Sequence, residues 1–193
     1  MHESIISLYQ KKFSGPDIAR KLGVNLRRVY RILNKRGIRM RSPSEQSRLK
    51  LEKLPLSFNF KKNLSSKNRE LLVAGAMLYY GEGAKTGTTV DLANSDPKIL
   101  KLFLKFLRNI CGIDEKRLRF YLYCFSDQNQ VELIDFWHKE LQVNRDSFTK
   151  PYVRDSGHAL LRRMPYGVLH IRYSDKRLLE KILELNSELV KNL

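Results

Sequence analysis

The sequence predicts an α+β protein: an all-α helix-turn-helix at the N-terminus, then a mixed domain with helices on one face of an antiparallel sheet. Three observations predict it. Residues 15–36 place a short apolar helix before one dense in arginine. Beyond residue 67, stretches with helical periodicity alternate with stretches whose apolar residues recur at every second position. Between the two, residues 41–66 carry prolines, serines and basic side chains with little periodicity, which reads as a basic linker. The expected domains are therefore 1–40, a linker over 41–66, and 67–193.

The N-terminal helices follow from local signals. Ser14 and Asp17 have capping-box spacing, and Pro16 stands near the first helical position. Ile18, Ala19 and Leu22 supply the buried side of this helix, and the small Ala19 suits two closely crossing helices. Gly23 stops it in the left-handed conformation. Asn25 can cap a second helix over 26–35, where Leu26, Val29 and Leu33 share one face while Arg27, Arg28, Arg31 and Lys35 lie on an opposite arc. One face packs and the other is open to phosphates and bases. The plain alternative is a solvated basic surface. Residues 4–12, with Ile5, Ile6, Leu8 and Tyr9, supply a supporting helix. The segment resembles the helix-turn-helix of resolvases and transposases, and no recombinase catalytic domain accompanies it.

Charge agrees with a polyanionic partner. The formal net charge is +17 over 193 residues, and neutralising phosphates releases counterions. Residues 1–66 hold 16 Lys and Arg against 4 Asp and Glu, a net of +12, whereas residues 67–193 hold 21 against 16, a net of +5. From residue 39 onward, Arg39, Arg41, Arg48, Lys50 and Lys53 can follow a DNA backbone or enter a minor groove, or simply belong to a flexible spacer.

Other classes are disfavoured. No apolar run is long enough to span a membrane and no signal peptide opens the chain, so a cytoplasmic protein is expected. The two cysteines, Cys111 and Cys124, sit in apolar patterns that suit reduced core thiols. The four histidines are scattered and assemble no zinc spacing.

In the second domain a helix is expected over 66–80, then a strand pair or hairpin around 84–93. A helix follows Asp96, where Ser95 or Asp96 caps and Pro97 begins. Residues 117–125 form the clearest strand, with Leu118, Phe120, Leu122 and Cys124 alternating against Arg117, Arg119, Tyr121 and Tyr123. A helix over 128–141 carries Trp137. Strands near 148–154 and 167–173 are joined by a loop containing Arg162 and Arg163, and a helix over 175–190 closes the domain. The outward strand positions collect Thr89 and Asp91, Arg117, Arg119, Tyr121 and Tyr123, Lys150, Tyr152 and Arg154, and His170 and Arg172. Interleaved aromatic and basic side chains suit grooves or stacked bases; arginine, lysine and tyrosine also keep exposed strands soluble.

Residues 71–83, Leu-Leu-Val-Ala-Gly-Ala-Met-Leu-Tyr-Tyr-Gly-Glu-Gly, resemble the signature helix of LAGLIDADG homing endonucleases, many of which end in Gly-Glu-Gly. The resemblance spans about residues 67–190 and is specific at Gly81, Glu82 and Gly83. It implies that two such helices pack together through small residues such as Ala74, Gly75 and Ala76, that Glu82 from each copy meets at the symmetry axis, and that the pair holds Mg²⁺ against DNA. A chain with one motif must then form a homodimer. The sequence departs from the family pattern at Met77, where a small residue is expected, and at Tyr80, where an acid is often found. Lys85, Lys150 and His170 are candidates for positioning water.

Two readings follow, both requiring double-stranded DNA. One is a sequence-specific DNA-binding protein, close to the bacterial transcription regulators that resemble homing endonucleases without cutting. The other is a Mg²⁺-dependent homodimeric endonuclease using Glu82. Structured RNA fits the charge and explains the helix-turn-helix poorly.

Overall fold

Local capping signals at Ser14, Asn25 and Ser42 start three of the N-terminal helices. A computed structural model describes residues 1–156 and 164–192, and the chain divides into two units, Met1–Leu56 and Ser57–Leu193. Arg162 and Arg163 lie outside the described residues.

The first unit holds α1 (His2–Gln10), α2 (Gly15–Leu22), α3 (Leu26–Lys35) and α4 (Pro43–Lys53). Ser14 and Asp17 form the capping box of α2, Gly23 ends it at φ +61°, and Asn25 caps α3. Gly23 suits this turn because an L side chain rarely adopts that φ. Ile5, Tyr9, Ile18, Val29, Ile32 and Leu33 make a small core. Ile32 takes the inward place expected of Leu26, which is exposed at the first turn of α3. α2 also approaches α3 closely at Gly15, where a Cβ would meet the Tyr30 hydroxyl at 2.6 Å, and Ala19 packs against the core.

The expected linker over 41–66 is structured. Ser42 and Glu45 form a second capping box and Pro43 opens α4, so the proline and serines mark a helix start. Residues beyond 56 belong to the second unit: the Asn59 amide donates to the carbonyls of Cys111 and Gly112, and the Lys61 amide to that of Ile110.

The second unit contains α5 (Ser66–Glu82), β1 (Val90–Asn94), α6 (Pro97–Phe106), β2 (Leu118–Phe125), α7 (Gln130–Leu141), β3 (Tyr152–Arg154), β4 (Val168–Tyr173) and α8 (Lys176–Lys191). α6 runs into a π-helical turn, Leu107–Cys111. The sheet order is β1-β4-β2-β3. It is mixed rather than antiparallel, because β3 runs parallel to β2. Parallel neighbours require a crossover, and α7 supplies it. The hairpin expected over 84–93 reduces to β1: only a bridge from Gly83 to Leu92 and an Ala84 amide bond to the Asp91 carbonyl, 2.9 Å, precede it.

Alternation divides the sheet into two faces. Leu118, Phe120, Leu122 and Cys124 of β2, Leu169, Ile171 and Tyr173 of β4, and Val90 and Leu92 of β1 are buried with Phe103, Phe106 and Trp137. Removing an aromatic side chain from such a core costs about 3–5 kcal/mol. Both cysteines are free and buried.

Candidate nucleic-acid interfaces

In the first unit the packing of α3 decides which side chains remain available. Val29, Ile32 and Leu33 face inward, leaving Arg27, Arg28, Arg31 and Lys35 exposed. None of these four side chains has a hydrogen-bond or ion-pair partner among the described residues. Two basic residues farther along, Arg39 and Arg41, are different. Arg39 pairs with Glu45 at 2.9 Å on the surface. Arg41, expected on a DNA-tracking arm, is half-buried: its guanidinium lies 4.0 Å from the centre of the Tyr9 ring and donates to the carbonyls of Tyr9 and Phe13. Its donors are committed to the fold, on carbonyls at the end of α1 and in the turn that follows it.

In the second unit the outward face of the sheet gathers side chains from four strands. Arg119, Tyr121 and Tyr123 of β2 stand opposite Arg172, His170 and Val168 of β4, and Tyr123 stands beside Tyr152 of β3. Tyr123 is the hub: its ring centre lies 5.0 Å from that of Tyr121, 5.1 Å from Tyr152 and 4.7 Å from His170. Asp91 of β1 accepts from His170 Nδ1 and from Arg172 Nε, each at 2.8 Å. Burial of Asp91 opposes its ionisation, but the hydrogen bond and charge of His170 and the charge of Arg172 outweigh it, holding the carboxyl below the usual carboxylate range. An ionised carboxylate only accepts, so His170 Nδ1 carries a proton and Nε2 is left for other partners. Arg172 also lies over the Tyr121 ring at 4.8 Å.

The remaining candidates on this face divide. Arg154 and Lys150 are exposed. Arg119 is exposed, with its guanidinium returning to the carbonyls of Lys116 and Leu118. Arg117 lies before β2 in a short 3-10 turn, where it donates to the Ser174 carbonyl and sits 5.7 Å from the Tyr173 ring. It braces the end of the sheet. The link from Asp91 to His170 was invisible in the sequence, since 79 positions separate the two residues.

The Gly-Glu-Gly end of α5 is built mostly by contacts within the chain. A Cβ on Gly75 would meet Phe106 at 2.3 Å and one on Gly83 would meet the Tyr79 ring at 2.4 Å, whereas Gly81 faces open space. Gly75 is thus spent on α6. Burial drives the Tyr79 hydroxyl up to about 12, and it donates to the Ala84 carbonyl at 2.6 Å, fixing the turn beyond the motif. Glu82 is exposed at the end of the helix. Val73, Ala74, Tyr80 and Gly81 are exposed along α5 as well.

Magnesium requires several oxygen ligands in near-octahedral geometry. Glu82 offers one carboxylate, and among the described residues no three His, Cys, Asp or Glu side chains gather into a group that could hold a metal. Lys85 is exposed beyond α5, and His170 is tied to Asp91 on the sheet.

Comparison of the chain with protein-family models, curated proteins and solved structures finds no match. Among the described residues, no helix is long and apolar enough to cross a membrane.

Proposed function

We propose that this chain is a sequence-specific double-stranded DNA-binding protein whose reading element is α3. The observation that carries the reading is the division of α3 into a packed face, Val29, Ile32 and Leu33, and an exposed face of Arg27, Arg28, Arg31 and Lys35 without described partners. An α-helix fits the major groove of B-form DNA, where arginine can donate twice to guanine. The deep, narrow major groove of A-form RNA excludes side chains from such reading, so duplex DNA is the better partner. The basic surplus of residues 1–66 supplies affinity that is independent of sequence.

Selection of bound duplexes from a random pool tests this. A defined site should emerge, and Arg27→Ala or Arg28→Ala should weaken binding to it by about 1–3 kcal/mol while relaxing preference at one base pair. A pool that never enriches, or unchanged preference in both variants, overturns the assignment.

A homodimeric endonuclease is the second reading. It is favoured by exposed Glu82 at the end of a helix that beyond Glu70 exposes the small or apolar Val73, Ala74, Tyr80 and Gly81. Among the described residues no three metal-ligating side chains gather within one chain, so this reading takes a second Glu82 from a second copy. Plasmid carrying the selected site should then be nicked with Mg²⁺ present, and Glu82→Gln should abolish cutting while leaving binding intact. Cutting that survives this change removes Glu82 from the assignment.

A further inference from the structure

We infer that the outward sheet face of the second unit binds unpaired nucleotides, stacking their bases on the Tyr121, Tyr123, Tyr152 and His170 rings. This goes beyond duplex reading, which needs only α3.

The inference starts from what the face presents. Four rings from three adjacent strands form one continuous cluster around Tyr123, with centre-to-centre distances of 4.7–5.1 Å to its three neighbours. Tyr152 is half exposed at the edge of the sheet. The hydroxyls of Tyr121, Tyr123 and Tyr152 make no hydrogen bond to any described residue. A solubilising surface needs no such gathering of aromatic rings, because clustering them forfeits hydration that scattered tyrosines keep.

A duplex is a poor match for this surface. Paired bases expose only their edges, and reading edges takes polar side chains that project into a groove. Here the rings lie against one another, with Tyr121, Tyr123 and His170 partly exposed and Tyr152 exposed. Unpaired bases have free faces, and exposed aromatic platforms on four-stranded sheets take two or three of them.

Charge complements the rings. Arg119 and Arg154 are exposed on β2 and β3, and Lys150 is exposed just before β3. The Asp91 carboxylate, which would repel phosphate, is paired with the Arg172 guanidinium and hydrogen-bonded to His170. That pairing also fixes the His170 ring beside Tyr123. The occupant is therefore a single-stranded polynucleotide: bases over the rings, phosphates along the arginines.

The test uses the full chain and fluorescence anisotropy at about 0.15 M salt. The probes are labelled oligothymidylate, oligouridylate, an abasic strand of equal charge and a duplex, each roughly 12 nucleotides long. Strands with bases should bind at least about tenfold more tightly than the abasic strand. Tyr123→Ala and Tyr152→Ala should each weaken that binding between about fivefold and a hundredfold, while Tyr123→Phe keeps it. Preference for uridylate or thymidylate identifies RNA or DNA as the source, and either supports the inference. Equal binding of the abasic strand, which is read on the wild-type protein and needs no variant to fold, overturns it. So does binding that is tighter to the duplex than to every single strand in an Arg27→Ala, Arg28→Ala background. Those same variants should lose duplex selectivity and keep single-strand affinity, so the two readings fail separately.

Discussion

Arg41 and Tyr9 form a clamp: the guanidinium lies 4.0 Å from the ring centre and donates to the Tyr9 carbonyl, while the Arg41 amide donates to the Tyr9 hydroxyl at 2.8 Å. The segment after α3 is thereby fastened back onto α1. A cation stacked on a partly desolvated ring contributes about 1–2 kcal/mol, and its hydrogen bonds to carbonyls add to that.

Arg41→Ala should therefore lower the stability of the first unit by about 2 kcal/mol, measured by urea denaturation followed by far-ultraviolet circular dichroism. Arg41→Lys should lose most of the same increment, because an ammonium cannot stack flat and hold two carbonyls at once. Unchanged stability with weaker, less salt-dependent duplex binding would return Arg41 to the phosphate backbone.

Two glycines of α5 should respond oppositely. Gly75→Ala forces a methyl into Phe106 and should cost about 1–3 kcal/mol. Gly81→Ala meets open space within the chain and should leave stability unchanged or raise it by up to about 1 kcal/mol. If α5 seats a second copy, Gly81→Ala should raise the concentration at which dimers appear in sedimentation. Equal destabilisation by the two changes would contradict the packing described for α5.

Acid should release the Asp91 link. Its carboxyl is held below the ordinary range, so the folded chain binds that proton more weakly than the unfolded chain. The stabilisation is complete above about pH 4 and is lost as pH falls through the depressed folded value. Asp91→Asn should cost about 1 kcal/mol at neutral pH, and the gap to wild type should close as the medium is acidified. Parallel stability curves between about pH 7 and pH 3 would remove this carboxylate from the acid response.

The parts legible in the sequence were those whose causes lie within a few residues. Ser14, Asp17, Gly23 and Asn25 bound α2 and α3 because capping is satisfied by backbone amides two or three positions away. Asp96 and Pro97 start α6 for the same reason. The alternation from Leu118 to Cys124 exposed the two faces of β2, since a strand turns successive side chains to opposite sides. The Ser42 and Glu45 capping box carried the same signal, yet α4 buries none of its residues and so lacks the apolar period that gave α2 and α3 away.

Tertiary structure alone decided which of these charges remain available. Arg31 and Arg41 look equivalent in the chain, but the first is exposed on α3 and the second is spent on Tyr9 and Phe13. Likewise Gly75 answers to Phe106, β3 runs parallel because α7 returns the chain, and Asp91 meets His170 only through the pairing of β1 with β4. Local sequence set the caps, the periods and the surplus of positive charge, because those depend on near neighbours. Partners brought together across dozens of residues depend on how the layers close, and that closure determines which side chains are left to meet a ligand.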